Sequence, residues 1–169
     1  MKDFQILLVC TVSFFGFAGL YGQQTLKASG IAFTYEVVGD SLECQLNAPT
    51  NGWIGVGFND KNSIVGSDLL LFNIVDGIPS CTDLFVKGIG SPVRDDKNGG
   101  KNTINLRGGI ERKSYTSITF SIPLDSGDPN DFLLLPNKEA WLILAFSVND
   151  DFEHHSRVRR HIPFVIHKD

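Results

Sequence analysis

Residues 31–47 read Ile-Ala-Phe-Thr-Tyr-Glu-Val-Val-Gly-Asp-Ser-Leu-Glu-Cys-Gln-Leu-Asn. The first eight form a β-branched and aromatic run that reads as a strand. Gly39-Asp40 closes it as a turn. Residues 41–47 then alternate, with Leu42, Cys44 and Leu46 on one face, and Pro49-Thr50-Asn51-Gly52 ends the run. Two strands joined by a tight turn set the pattern for the chain.

The same grammar continues outward. Further strands are expected at 53–58, 68–75, 80–86, 116–122, 140–148 and 158–166, separated by turn residues such as Asp76-Gly77 and Ser126-Gly127-Asp128-Pro129. No long segment has a 3.6-residue period, so helix content is expected to be low. Short strands at this spacing predict an all-β antiparallel sandwich, immunoglobulin-like, of about eight to ten strands. The polar, Gly-rich stretch 94–105 reads as a long exposed loop.

The 169 residues fit one domain. Apolar residues make up 42 % and charged residues 20 %, which excludes a disordered chain. The net charge of -4 argues against nucleic-acid binding, which needs a basic face. Residues 6–20 are an unbroken apolar run behind Lys2 and Asp3, and they read as a secretory signal peptide spanning 1–22, cleaved after Gly22. The run is short for a membrane span. The expected mature domain is 23–169, secreted or periplasmic, with no membrane association after cleavage. Spacing leaves open whether Cys44 and Cys81 form a bridge or stay as separate thiols.

Three segments carry a family resemblance: Gly52-Trp53-Ile54-Gly55-Val56-Gly57-Phe58-Asn59 leading to Ser67-Asp68-Leu69-Leu70-Leu71-Phe72; then Ser121-Ile122-Pro123-Leu124-Asp125-Ser126-Gly127-Asp128; then 141–147 with the His/Arg-rich 151–162. Together they resemble the DOMON domain, the N-terminal type of dopamine β-monooxygenase, over about residues 28–167. The resemblance implies a ligand-binding sandwich, of cytochrome b or sugar-binding type. Haem-binding members place a Met before the Ala/Ser-Asp pair and a His near the C-terminal end. Here Ile64 stands at the Met position, and the only Met is Met1. His154 and His155 fill the His position.

Residues 149–161, Asn-Asp-Asp-Phe-Glu-His-His-Ser-Arg-Val-Arg-Arg-His, hold the densest set of ligating side chains. On the last strand Val158, Ile162, Phe164 and Ile166 share the core face, so His161 and His167 point away, about 20 Å apart. The candidates are therefore in the preceding loop. His155, with His154 beside it, is expected to face one sandwich end. Trp53, Phe58, Ile64 and Phe152 are the candidate lining of an apolar slot for haem b, which needs an axial imidazole. Asp150, Asp151 and Glu153 with His155 form the alternative set for a divalent metal. Solvated pairing within the loop is the plain structural alternative. Asp95-Asp96-Lys97-Asn98-Gly99 carries oxygen-rich residues but no EF-hand pattern. Asp68 reads as a turn-capping residue.

The sequence thus predicts a non-catalytic domain binding a small ligand or metal near the His154/His155 loop. Two alternatives remain at this level: a haem b electron carrier with His155 as axial ligand and no Met, and a structural or protein-interaction module. The expected partner is a small-molecule ligand or a redox or protein partner.

Overall fold

The computed structural model describes residues 22–167. The segment expected as a signal peptide lies outside them, apart from Gly22. Eleven strands run in order: β1 (Gln24–Ala28), β2 (Ile31–Val38), β3 (Ser41–Ala48), β4 (Ile54–Asn59), β5 (Asp68–Val75), β6 (Ile78–Gly88), β7 (Ser91–Arg94), β8 (Asn105–Arg112), β9 (Tyr115–Pro123), β10 (Glu139–Phe146) and β11 (Val158–Val165). A 3-10 turn, Asp95–Lys97, follows β7. One sheet has the order β1-β2-β3-β9-β8 and the other β11-β10-β4-β5-β6-β7. All pairings are antiparallel.

The two sheets bury their facing sides because each central strand alternates. Phe33, Leu42, Leu46, Ile118 and Phe120 come from the first sheet, and Ile54, Phe58, Phe72, Leu142 and Leu144 from the second; all are fully buried. Phe164 closes the core at the β11 edge, its ring centroid 5.4 Å from Tyr35 and 5.7 Å from Phe58. The Tyr35 hydroxyl donates to the Val165 carbonyl at 3.0 Å and so ties β2 of one sheet to the edge strand β11 of the other.

Three strands exceed the sequence expectation, and all three lie at sheet edges. β1 is half polar, β7 has four residues including Pro92, and β8 is interrupted by a register shift between Leu106 and Gly108. Edge strands bury one side partially, so their apolar alternation is diluted. The stretch 94–105 is largely the exposed loop expected, but Asp95 within it is 1 % exposed and Asn105 is the first residue of β8. Cys44 and Cys81 are both free thiols.

Candidate functional site

The residues first expected to form one site fall at opposite ends of a strand. β10 pairs antiparallel with β4, placing Phe146 opposite Ile54 and Trp141 opposite Asn59. The β10–β11 loop with His154 and His155 therefore sits beside the start of β4. Ile64 lies in the loop that leaves its other end. Five strand intervals at about 3.3 Å put these ends roughly 17 Å apart. Phe58 points into the main core. The imidazole that meets the Ile64 loop belongs to His161, whose Nδ1 lies 3.0 Å from Asn62 Oδ1. Burial, and then the neighbouring Arg159 charge, lower its pKa.

At the other end, Trp53 and Phe152 do come together. They cover the outward face of the second sheet with Leu69, Leu71, Leu84 and Ala145. The Trp53 indole donates to the His154 carbonyl at 3.2 Å. Gly55 lies beneath this layer, and a Cβ there would meet Leu71 Cδ2 at 2.6 Å. The protein's own side chains fill the space over the strand. His155 and Glu153 are exposed, and Asp151 is exposed and paired with the His154 ring at 3.2 Å. Asp150, Asp151, Glu153 and His155 do not converge on one point among the described residues; the groups of three or more carboxylates that do converge lie elsewhere. The loop is a solvated surface over a Trp-centred apolar patch. A His/Met-ligated haem does not fit these residues, because neither the pair nor its slot is assembled.

The convergent acidic residues occupy the far side of the second sheet and its crossing loops. Asp68 opens β5, and Asp83 sits in β6, where Leu70 faces Asp83 and Asp68 faces Phe85. Neighbouring antiparallel strands put those two carboxylates on the same, inward face. β7 returns along β6 with Arg94 opposite Leu84, which delivers Asp95 beside them. The β9–β10 connection brings in Asp128 and Asp131 from the first sheet. Carboxylate oxygens of Asp68, Asp83 and Asp131 lie within 4.8 Å of one another, as do those of Asp95, Asp128 and Asp131. Asp131 is common to both groups.

Hydrogen bonds satisfy only part of this cluster. Phe132 N–H donates to Asp68 Oδ2 at 3.0 Å. Thr103 donates its N–H to Asp83 Oδ2 at 3.1 Å and its hydroxyl to Asp131 Oδ2 at 2.8 Å. Lys101 and Asn130 N–H groups hold Asp128, at 2.6 and 2.9 Å. Gly100 passes so close that a Cβ would meet the Asp128 oxygens at 2.6 and 2.7 Å. Asp68 Oδ1, Asp83 Oδ1, both oxygens of Asp95 and Asp131 Oδ1 are buried without a partner. None of the five carboxylates forms an ion pair with a basic side chain among the described residues.

Electrostatics follow from that arrangement. Burial, then the Asp83 charge, pushes the Asp68 carboxyl well above the ordinary carboxylate range. Burial raises Asp83 to about 6, against the Thr103 hydrogen bond, with Asp131 adding repulsion. Burial followed by Asp83 and Asp131 raises Asp95 to about 7. Like charges in a low-dielectric pocket cannot all ionise unless a cation joins them. The expected turn-capping role of Asp68 is thus corrected: its side chain is buried and faces other acids. The ligating set is all oxygen, which suits a hard cation of the calcium or magnesium type over zinc.

A family model for the DOMON domain matches residues 27–147. The chain belongs to the DOMON family. Among curated relatives, mouse DBH-like monooxygenase protein 1 is 28 % identical over 93 residues, covering 55 % of this chain and 14 % of that protein. Human putative DBH-like monooxygenase protein 2 is 26 % identical over 123 residues, covering 71 % and 23 %. The chain therefore spans less than a quarter of either relative. Among solved structures, the cytochrome b domain of pyranose dehydrogenase from Coprinopsis cinerea superposes with a TM-score of 0.61 at 14 % identity, covering 85 % of this chain and 80 % of that one. The cytochrome domain of Myriococcum thermophilum cellobiose dehydrogenase gives 0.58 at 10 % identity, covering 86 % and 82 %. These likenesses establish a shared fold.

Sequence reasoning missed most of this acidic site. It singled out Asp95 for its oxygen-rich run and Asp68 for its turn position. Asp128 entered only as the end of a resemblance segment and a turn residue, and Asp83 and Asp131 gave no signal beyond being acidic residues among apolar or turn neighbours. An Asp at position 83 inside the strand 80–86 was the readable anomaly, since a lone buried carboxylate needs a partner.

Proposed function

We propose that this DOMON domain is an exported, non-catalytic binding module that holds a divalent cation, calcium by preference, on Asp68, Asp83, Asp95, Asp128 and Asp131. One observation carries the reading: five buried carboxylate oxygens in this cluster have no hydrogen-bond partner. An unpartnered buried polar atom costs about 1–3 kcal/mol, and more when charged. A calcium ion accepts about six to eight oxygens and compensates both the missing bonds and the like-charge repulsion. Oxygens from β5, β6, the post-β7 turn and the β9–β10 connection then share one ion, which fastens the two sheets at that end. Such an ion supports structure and ligand capture rather than turnover. The apolar run at 6–20 supports export through a leader ending at Gly22, and sequencing of the secreted protein should begin at Gln23.

Thermal unfolding in calcium and in EDTA tests the cation reading. A ligand held at a hundred times its Kd adds about 2.7 kcal/mol. For a domain of this size that raises Tm by roughly 5–10 °C. Equal melting curves in EDTA and in millimolar calcium, magnesium or manganese would overturn it.

A further inference from the structure

The acidic cluster borders an open cleft of about 400 Å³, and Asp68 and Asp131 form part of its wall. Asp60, Lys61, Phe85, Phe132 and Lys138 complete the working lining. The lining carries both signs of charge, the carboxylates of Asp60, Asp68 and Asp131 and the ammonium groups of Lys61 and Lys138. No ion pair joins them, nor does either lysine pair with any carboxylate among the described residues. The Lys61 side chain folds back over Gly66, its Nζ 3.7 Å from where a Cβ would sit, which keeps the ammonium at the cleft. Opposite charges that line one cavity without meeting leave room for something that carries both signs between them.

We infer that the cleft takes a small oxyanion, a carboxylate or phosphate group, that completes the cation's shell at Asp68 and Asp131 and extends its charge to Lys61 and Lys138. This rests on the cation reading above. Five carboxylates giving one oxygen each leave about one to three positions on a calcium ion. Those facing the cleft are open to water or to ligand oxygens. A carboxylate or phosphate supplies negative oxygens to the ion and accepts charge-assisted hydrogen bonds from an ammonium group. Phe85 and Phe132 give the remainder of such a molecule apolar walls, the usual mix of a small-molecule site. The volume falls in the ordinary range of about 300–1,000 Å³ for such sites. Without the ion, the exposed and buried acids of this wall repel an anion, so anion binding is expected to require the cation.

Calorimetric titration of the purified protein separates the two ideas. Calcium is titrated first; then succinate and phenyl phosphate are titrated into calcium-loaded and EDTA-treated protein. The expected result is anion binding only to the loaded form. The double variant Lys61→Gln/Lys138→Gln should keep its calcium affinity within about threefold and lose tenfold or more for the anion. Both lysines are exposed, so the variant is expected to fold, and an unchanged circular dichroism spectrum verifies it. Calcium uptake with no binding of either anion overturns the oxyanion site and leaves the cation site standing. Equal anion binding in EDTA, or undiminished binding by the double variant, also overturns it. So does tighter binding of the neutral methyl glucoside than of either anion. Absence of uptake of calcium, magnesium and manganese alike overturns both readings.

Discussion

The Asp68 carboxylate accepts the backbone N–H of Phe132 at 3.0 Å, across 64 residues of sequence. That bond fixes the β9–β10 connection, which crosses from the first sheet to the second, against the first residue of β5. It uses one oxygen of Asp68 and leaves the second buried and bare. The structural anchor and the candidate ligand are thus the same side chain. Asp68→Asn should keep much of the anchoring, because the amide oxygen still accepts, while the cation-dependent rise in Tm falls to less than half. Differential scanning fluorimetry in calcium and EDTA reads both effects; an undiminished calcium response excludes Asp68 as a ligand.

Cation-free protein should lose stability as pH rises. Asp83 and Asp95 are raised to about 6 and about 7 in the fold, from an ordinary value near 3.8. Between pH 4 and 7 the native state therefore holds protons that the unfolded chain has released. Stability falls with pH wherever the native state binds more protons. In EDTA, Tm should decline from pH 4 to 7, and calcium should flatten that decline at neutral pH. A cation-free Tm that climbs steadily over the same window would contradict the assignment.

Asp95→Asn should separate charge from packing. Both oxygens of Asp95 are unpartnered in a pocket with Asp83 and Asp131. Removing one negative charge from that group relieves repulsion in the metal-free state. The variant should melt higher than the native protein in EDTA at pH 7.5 and lower in calcium. Urea denaturation with and without calcium shows whether the two curves cross in this way.

The His154/His155 loop should tolerate change on its surface and not beneath it. His154 and Asp151 form an exposed pair, each side chain more than half accessible, and such pairs contribute about 0–1 kcal/mol. His155→Ala should shift stability by less than about 0.5 kcal/mol. Trp53→Ala should cost about 3–5 kcal/mol, because its ring covers the outer apolar cluster at 4 % exposure. Chemical denaturation of the two variants distinguishes a solvated loop from a working histidine site.

Phe164 tests the register of the last strand. It is 2 % exposed and packs on Phe33, Tyr35 and Phe58. Phe164→Ala should cost about 3–5 kcal/mol. A near-neutral denaturation midpoint would mean that β11 presents its other face to the core.

The sequence by itself determined the sandwich. Alternation of period two at 41–47 and 158–166 shows which side of each strand is buried, because neighbouring side chains leave opposite faces, while the apolar runs at 68–75 and 140–148 mark strands covered on both faces. The same rule correctly turns His161 away from the core and Phe164 into it. It does not reach the weak edge strands β1, β7 and β8, whose partial burial blurs the pattern. Nor does it show which strands become neighbours. That was decided by tertiary structure: β10 lies against β4 in antiparallel register, which sends His155 and Ile64 to opposite ends, and the fold draws Asp68, Asp83, Asp95, Asp128 and Asp131 into one place. Alternation is a local property of one strand's backbone. Convergence depends on sheet order, on register and on the reach of the crossing loops, and these are set by the packing of the whole core.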